Sequence, residues 1–300
     1  MRRAETALLI VLAAAWGAVY PLTTIALRHV SPQDVVFWRA ATAAAVLAPA
    51  ALRARALPVL REHWRDLLVA AALQAAIPLV LLTIGQQHVS ASIAGIISGT
   101  QPIAVALLAL AVPGTRRPGA LGLGGIAVGA AGVALLFARG LGANHTELSS
   151  GLLVLGSAVF FALGAVWIDV RLSQVPPLVI AATAMSASAL ALLPFAVAGS
   201  GSSRLLPAAA DLAVLGVLGT GAPLVLFYAL IRRAGATRAG LGFLLAPAFA
   251  VIYGTALLGN KLTAEIIAGL TLITAGSVIT LHARRQMGND APAGPPARDQ

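Results

Sequence analysis

The sequence predicts an all-α polytopic membrane protein of about ten transmembrane helices, arranged as two inverted five-helix repeats. Three observations carry that prediction. Charged residues are 10% of the chain and hydrophobic residues 59%, which leaves too little polar material to clothe a soluble domain. The apolar residues fall into about ten runs, each close to the ~20 residues that cross a hydrocarbon core. Four prolines recur at one offset: Pro32 and Pro177, Pro49 and Pro194, Pro78 and Pro223, and Pro102 and Pro247 are each 145 positions apart. Ala91 with Ala236, Ala94 with Ala239 and Gly95 with Gly240 keep the same offset. The chain reads as one unit written twice.

Taken in order, the first run is Thr6 to Leu27, free of Asp, Glu, Lys and Arg. With Met-Arg-Arg before it and Ala13-Ala14-Ala15 inside, it imitates a cleavable signal peptide. Every later segment is equally apolar and an even number of spans fits the charges, so it is read as the first span. The second run, Val35 to Leu52, is broken only by Arg39. A basic stretch with Arg53, Arg55, Arg61 and Arg65 is read as the loop that follows. Leu67 to Gln87, Val89 to Thr115 and Pro118 to Ala138 complete the first half. The second half repeats the pattern with Leu148 to Ile168, Leu172 to Ser203, Leu212 to Ile231, Ala239 to Asn260 and Ile266 to Leu281. Gly95 with Gly99, and Gly125 with Gly129, have the spacing that lets helices approach closely. The Pro/Gly/polar stretch 286–300 reads as a disordered tail. The units are therefore 1–145 and 146–285.

The net charge of +10 does not point to nucleic acid, because the basic residues sit in short clusters between apolar runs and form no basic domain. They report topology instead. With the N-terminus in the cytoplasm, fifteen of the twenty Lys and Arg fall on the cytoplasmic side. Arg28, Arg139, Arg204 and Lys261 fall outside, and Arg39 lies within a span, the bias expected of cytoplasmic loops. Both termini are then cytoplasmic, in a multi-pass protein of the cell membrane. Five spans per unit is an odd number, so the two copies enter the membrane in opposite senses. The charges agree: Arg53, Arg55, Arg61 and Arg65 correspond to Ala198, Ser200, Leu206 and Ala210, whereas Gln87-His88 corresponds to Arg232-Arg233.

Cysteine is absent, which excludes disulfides, thiolate catalysis and Cys-ligated metals. The five histidines (29, 63, 88, 145 and 282) fall in loops or at span ends. Neither HExxH nor GxxxxGK[ST] occurs. The sequence therefore asks for no enzyme, no cofactor and no metal site.

Several stretches resemble the EamA unit of the drug/metabolite transporter superfamily. They are Trp16-Gly17, Ser31-Pro32 followed by Arg39-Ala40, and the run around Pro102. In the second copy they are Leu245-Ala246-Pro247, Leu258-Gly259-Asn260-Lys261-Leu262-Thr263, and Gly269 with Gly276, whose seven-residue spacing Gly125 and Gly132 repeat. The resemblance covers nearly the whole chain. It implies a ten-helix, exporter-like permease of small metabolites with a central cavity between the halves. Family members often carry Glu where this chain has Asn260, a departure that bears on ion coupling.

The expected site is a midplane cavity lined by Trp16, Tyr20, Gln74, Gln101, Tyr228 and Tyr253, with Arg39 as the partner of an anionic group. Charges within a span are costly and face protein or water; the alternative for Arg39 is a structural pair with Asp34 or a carbonyl, or snorkelling. Trp16 and Tyr20 share a helix face midway through the first span, where aromatic faces can stack on a planar substrate or hold a cation. Trp167, near a span end, fits an interfacial belt. Gln74, Thr100 and Gln101 are polar groups in hydrocarbon that either bind substrate or tie helices together. Gln101 precedes Pro102, which frees backbone carbonyls, and broken helices line transport sites. Asp169 is the candidate for carrying a coupling proton; otherwise it is an interfacial acid paired with Arg171. The expected partners are a small-molecule substrate and the lipid bilayer, with no nucleic acid, and the sequence sets no oligomeric state. The expected activity is transport, with export favoured over flipping of a lipid-linked substrate or a scaffold role.

Overall fold

The computed structural model describes residues 3–54, 56–111, 119–141, 145–199, 202–234 and 241–289. Among them are ten helices long and apolar enough to cross a membrane. In the first half these are α1 (Ala4–Ala26), α2 (Pro32–Arg53), α3 (Ala56–Gly85), α4 (Ala91–Ala111) and α5 (Ala120–Ala138). In the second half they are α6 (His145–Arg171), α7 (Pro177–Ala196), α8 (Ala208–Phe227), α9 (Leu241–Leu258) and α10 (Ala264–Ala283). Large apolar side chains such as Ile10, Leu52, Leu190, Phe195, Leu218 and Leu257 point outward, as a lipid-facing exterior requires. The helix that contains α10 continues to Asn289; of the expected tail, residues 290–300 lie outside the described residues.

One stretch differs from its sequence reading. The basic segment after α2 is not simply a loop: residues from Ala56 onward are already helical, with a kink at His63. Leu57, Leu60, Trp64 and Leu67 recur at helical spacing between the charges, so one face is apolar and the other carries Arg61, Glu62 and Arg65. Leu57 and Trp64 are half-exposed, and the Arg65 guanidinium lies 5.2 Å from the Trp64 ring centroid. This is the pattern of a helix entering through the membrane interface.

The prolines shape the interior. Pro78 has no N–H for the carbonyl four residues back, that of Gln74; Pro223 does the same to Gly219. In both places the helix widens into a π turn, Ala72–Ala76 in α3 and Val217–Gly221 in α8. These turns are again 145 positions apart, and each closes with an i→i+5 bond (Ile77 N–H to Ala72 C=O, Ala222 N–H to Val217 C=O). Pro102 acts more severely. Helix α4 stops at Ser98, turns through Gly99 and Thr100, and restarts at Gln101. The Gly99 carbonyl is taken up by the buried Ser277 hydroxyl at 3.0 Å, and Thr100 returns its own hydroxyl to Ile97 at 2.6 Å. Pro247, its repeat partner, sits inside an uninterrupted α9.

The two halves interlock, and the packing obeys the repeat. Helix α5 packs on α10 and α2 on α7, each with its own equivalent. Helix α1 packs on α9 while α6 packs on α4, and the π turn of α3 meets α7 as that of α8 meets α2. The α5–α10 contact is glycine against glycine: a Cβ on Gly276 would meet the backbone of Gly125 and Gly129, and one on Gly125 would meet Gly276 and Thr280. Helix α4 is the most enclosed of the ten and α5 the least. Gly276→Leu should therefore destabilise the purified protein by about 1–3 kcal/mol through overpacking. Gly124→Ala, which meets nothing within 4 Å, should leave the thermal midpoint unchanged; equal midpoints for both variants would disprove the contact.

Candidate functional site

Four helices converge on one polar cluster between the halves. Arg39 of α2 is buried, and its Nε donates to the Thr220 hydroxyl at 2.9 Å. Thr220 lies in the π turn of α8 and also returns to the Leu215 carbonyl at 3.3 Å. The close approach is possible because α8 carries Gly216 there: a Cβ would collide with Thr42 and with the Arg39 carbonyl oxygen, 3.0 Å away. The Tyr20 side chain of α1 sits beside the Ser98 hydroxyl of α4 and within electrostatic reach of Arg39. The Tyr20 carbonyl is held by the Gln86 amide at 2.9 Å, which also reaches Thr24 at 3.3 Å. Arg39 Nη1 is enclosed and has no hydrogen-bond partner among the described residues.

The other expected residues are distributed around this cluster. Gln74 lies in the π turn of α3 against Gly164 of α6, with its Oε1 buried and without a partner among the described residues. Gln101 is half-buried at the restart of α4. Trp16 is occupied by apolar partners from the second half, stacked on Phe243 at 3.9 Å and 17° with Phe227 at 5.4 Å. Tyr253 rests against Phe249 at 5.9 Å. Tyr228 is on the helix that continues α8, but its side chain lies outside the described residues. Asp169 is exposed, and the neighbouring Arg171 pairs elsewhere: its Nε is 3.3 Å from Asp66 Oδ1 of α3. Trp167 donates its indole N–H to the Asp66 carbonyl at 3.1 Å and lies under the Arg171 guanidinium. Asp34, a sequence candidate for pairing with Arg39, is instead bound by the Ser31 hydroxyl at 2.7 Å at the start of α2.

Sequence reasoning missed Thr220, Ser98, Gln86 and Asp66. Thr220 had a signal: Gly219-Thr220-Gly221 stands just before a repeated proline, where the first half has Gln74-Ala75-Ala76. Asp66 had one as well, since Asp211 is its offset equivalent. Ser98 and Gln86 had none, because a hydroxyl or amide in an apolar run gives no clue to which neighbour it faces.

Ten crossing helices in two inverted repeats, with polar groups gathered where the repeats meet, define a membrane permease. The EamA-like transporter family matches the chain twice, over residues 5–138 and 148–282. The chain belongs to that family, within the drug/metabolite transporter superfamily, and is a membrane transporter of small molecules. YvbV of Bacillus subtilis (strain 168), described as an uncharacterized transporter, is 27% identical over 278 residues, covering 90% of each chain. A protein of known crystal structure shares the fold with a TM-score of 0.66 at 20% identity, over 95% of this chain and 99% of that one.

Gln74 offers a direct test of site against scaffold. A buried acceptor without a partner costs stability, so Gln74→Leu should hold or raise the thermal midpoint of the purified protein. A fall of several degrees would make Gln74 a structural tie between helices.

Proposed function

We propose that this chain exports a small organic metabolite across the cytoplasmic membrane by alternating access, with both termini on the cytoplasmic side. The units that rock are 1–145 and 146–285, and the substrate sits between them, against Tyr20, Arg39, Gln74 and Gln101 with Trp16, Tyr228 and Tyr253 around. The skew of basic residues supports the orientation, and the resemblance of both halves to exporter-like permeases supports the direction.

The observation that carries the alternating reading is a difference between the two ends of the interface. Asp66 and Asp211 are repeat equivalents, the first near the predicted cytoplasmic face and the second near the outer face. At the first, Asp66 binds Trp167 and Arg171 across the halves. At the second, the equivalents of Trp167 and Arg171 are Leu22 and Ala26. There α1 meets α8 through Ala26, Ala208 and Leu212 with Leu22 packed against them, and Asp211 has no ion-pair partner among the described residues. Inverted repeats exchange states by swapping which end is closed. Here one end closes through polar contacts and the other through apolar ones. The Asp66 and Arg171 side chains are 23% and 55% exposed, so their pair contributes about 0–1 kcal/mol, weak enough to open thermally.

Export is tested by profiling metabolites in medium and cells with and without overexpression, using Trp16→Ala with Gln101→Ala as the control. One compound class should rise severalfold in the medium only with the intact protein. No redistribution in either direction, with the protein present in the membrane, would contradict export.

A further inference from the structure

The corner of the bundle around Asp66 exposes more basic charge than its own contacts consume. Arg61 and Arg65 of α3 are exposed, as is Arg171 of α6. The Arg65 guanidinium lies over Trp64, 5.2 Å from the ring centroid, and that of Arg171 lies over Trp167 at 5.7 Å. The two pairs come from opposite halves and meet at Asp66. Its carbonyl takes the Trp167 indole N–H at 3.1 Å and its carboxylate takes Arg171 Nε at 3.3 Å, while Trp64 and Arg65 directly precede it in the chain. Tryptophan rings settle at headgroup level in a bilayer, so a guanidinium laid over such a ring is held at the depth of the lipid phosphates.

The acids of this corner are spent or face elsewhere. Asp66 takes Arg171 through Nε, and a guanidinium has five donors to give. Glu62 stands against His63 at 3.8 Å. Asp169 is two residues from Arg171 and so about 200° around α6 from it. Among the described residues, no acid lies within ion-pairing distance of Arg61 or Arg65.

Folding does not require this pattern, and the second copy shows as much. The equivalents of Arg61, Trp64 and Arg65 are Leu206, Ala209 and Ala210, within a helix over Ser202–Gly216. Asp211 keeps the place of Asp66, and Leu205 and Leu212 those of Leu60 and Leu67. The entry helix therefore forms with the aspartate and the leucines, without the arginines and the tryptophan. Topology does not ask for the pattern either, because a loop's charge bias is met by basic residues with no ring beneath them.

We propose that this corner docks the headgroup of an anionic phospholipid, with Arg61, Arg65 and Arg171 as donors to its phosphodiester. Leu57, Trp64 and Leu68, 54%, 50% and 47% exposed, supply apolar surface for the lipid's chains. Charge selects the lipid: a zwitterionic headgroup brings an ammonium of its own, which the arginines repel, whereas an anionic one leaves its phosphate charge for them. With both termini cytoplasmic, as proposed above, the corner faces the leaflet that is rich in anionic lipid. Neither the identity of the carried molecule nor its direction enters this inference.

The test is lipid binding by the full chain in neutral detergent, titrated with phosphatidylglycerol or with phosphatidylcholine of the same acyl chains and read by native mass spectrometry. Wild type should bind phosphatidylglycerol about tenfold more tightly than phosphatidylcholine. Arg61→Gln with Arg65→Gln should remove most of that preference and leave phosphatidylcholine binding unchanged. Arg28→Gln with Lys261→Gln removes the same charge from exposed residues at the opposite predicted face and should keep phosphatidylglycerol within about twofold of wild type. Equal binding of the two lipids by wild type would overturn the inference, as would an Arg61/Arg65 variant that keeps the full preference. Equal losses in both double variants would assign the effect to net charge and remove the site. Glycerol 3-phosphate should not displace the lipid; if it does, the corner holds a soluble phosphate and the lipid assignment is wrong. Should the Arg61/Arg65 variant fail to fold, the wild-type comparison of the two lipids and of glycerol 3-phosphate decides alone. Export is read separately, in the medium of intact cells: export without lipid preference sinks the lipid site and leaves transport standing, and lipid preference without export does the reverse.

Discussion

Two missing N–H groups organise this molecule. In hydrocarbon a backbone carbonyl must find a partner within the protein, and Pro78 and Pro223 deny one to Gln74 and Gly219. The chain answers identically in both halves, by widening a single turn of α3 and of α8. A π turn swells the helix locally and shifts the side chains that follow it. Each swelling lies against the second helix of the other half, so the two distortions sit on the surface where the repeats meet. Thr220 reaches Arg39 because of one of them, and Gln74 faces Gly164 because of the other.

The duplication explains the framework, and departures from it stand out against it. Gly125 and Gly129 of α5 and Gly276 of α10 let these equivalent helices touch backbone to backbone. Alanines fill the crossing of α7 over α3 where its equivalent holds Arg39 and Thr220. The same comparison separates the two ends: Trp167 and Arg171 stand where the other repeat has Leu22 and Ala26. A duplicated chain thereby supplies its own control, since each polar substitution can be weighed against an apolar solution of the same geometric problem.

Much of this was legible in the residues. Ten spans, the repeat offset and the inversion follow from hydropathy, four prolines and the placement of arginines, because the membrane allows so few alternatives. The early helical start of α3 was masked by Arg61 and Arg65, since an interfacial helix mixes charge with Leu57 and Trp64 and falls below a span's hydropathy. Arg39 and Tyr20, both read from the sequence as cavity residues, lie within electrostatic reach of each other. Trp16, on the same face of α1 as Tyr20, is stacked on Phe243; depth along a helix fixes how buried a ring is, while its rotation about the axis decides what it faces. Partners separated by a hundred residues or more, such as Arg39 with Thr220 or Asp66 with Trp167, have no local signature.

The most direct test of the proposed alternation exploits the absence of cysteine. Spin labels at Glu62→Cys with Asp169→Cys would report the Asp66 end, and labels at Arg28→Cys with Ala210→Cys the opposite end; all four positions are exposed. Adding Asp66→Asn weakens the contact to Arg171. If the halves alternate, that substitution shifts the first distance distribution to longer values and the second to shorter ones. Both distributions remaining single and unmoved, in a protein that stays folded, would contradict alternating access.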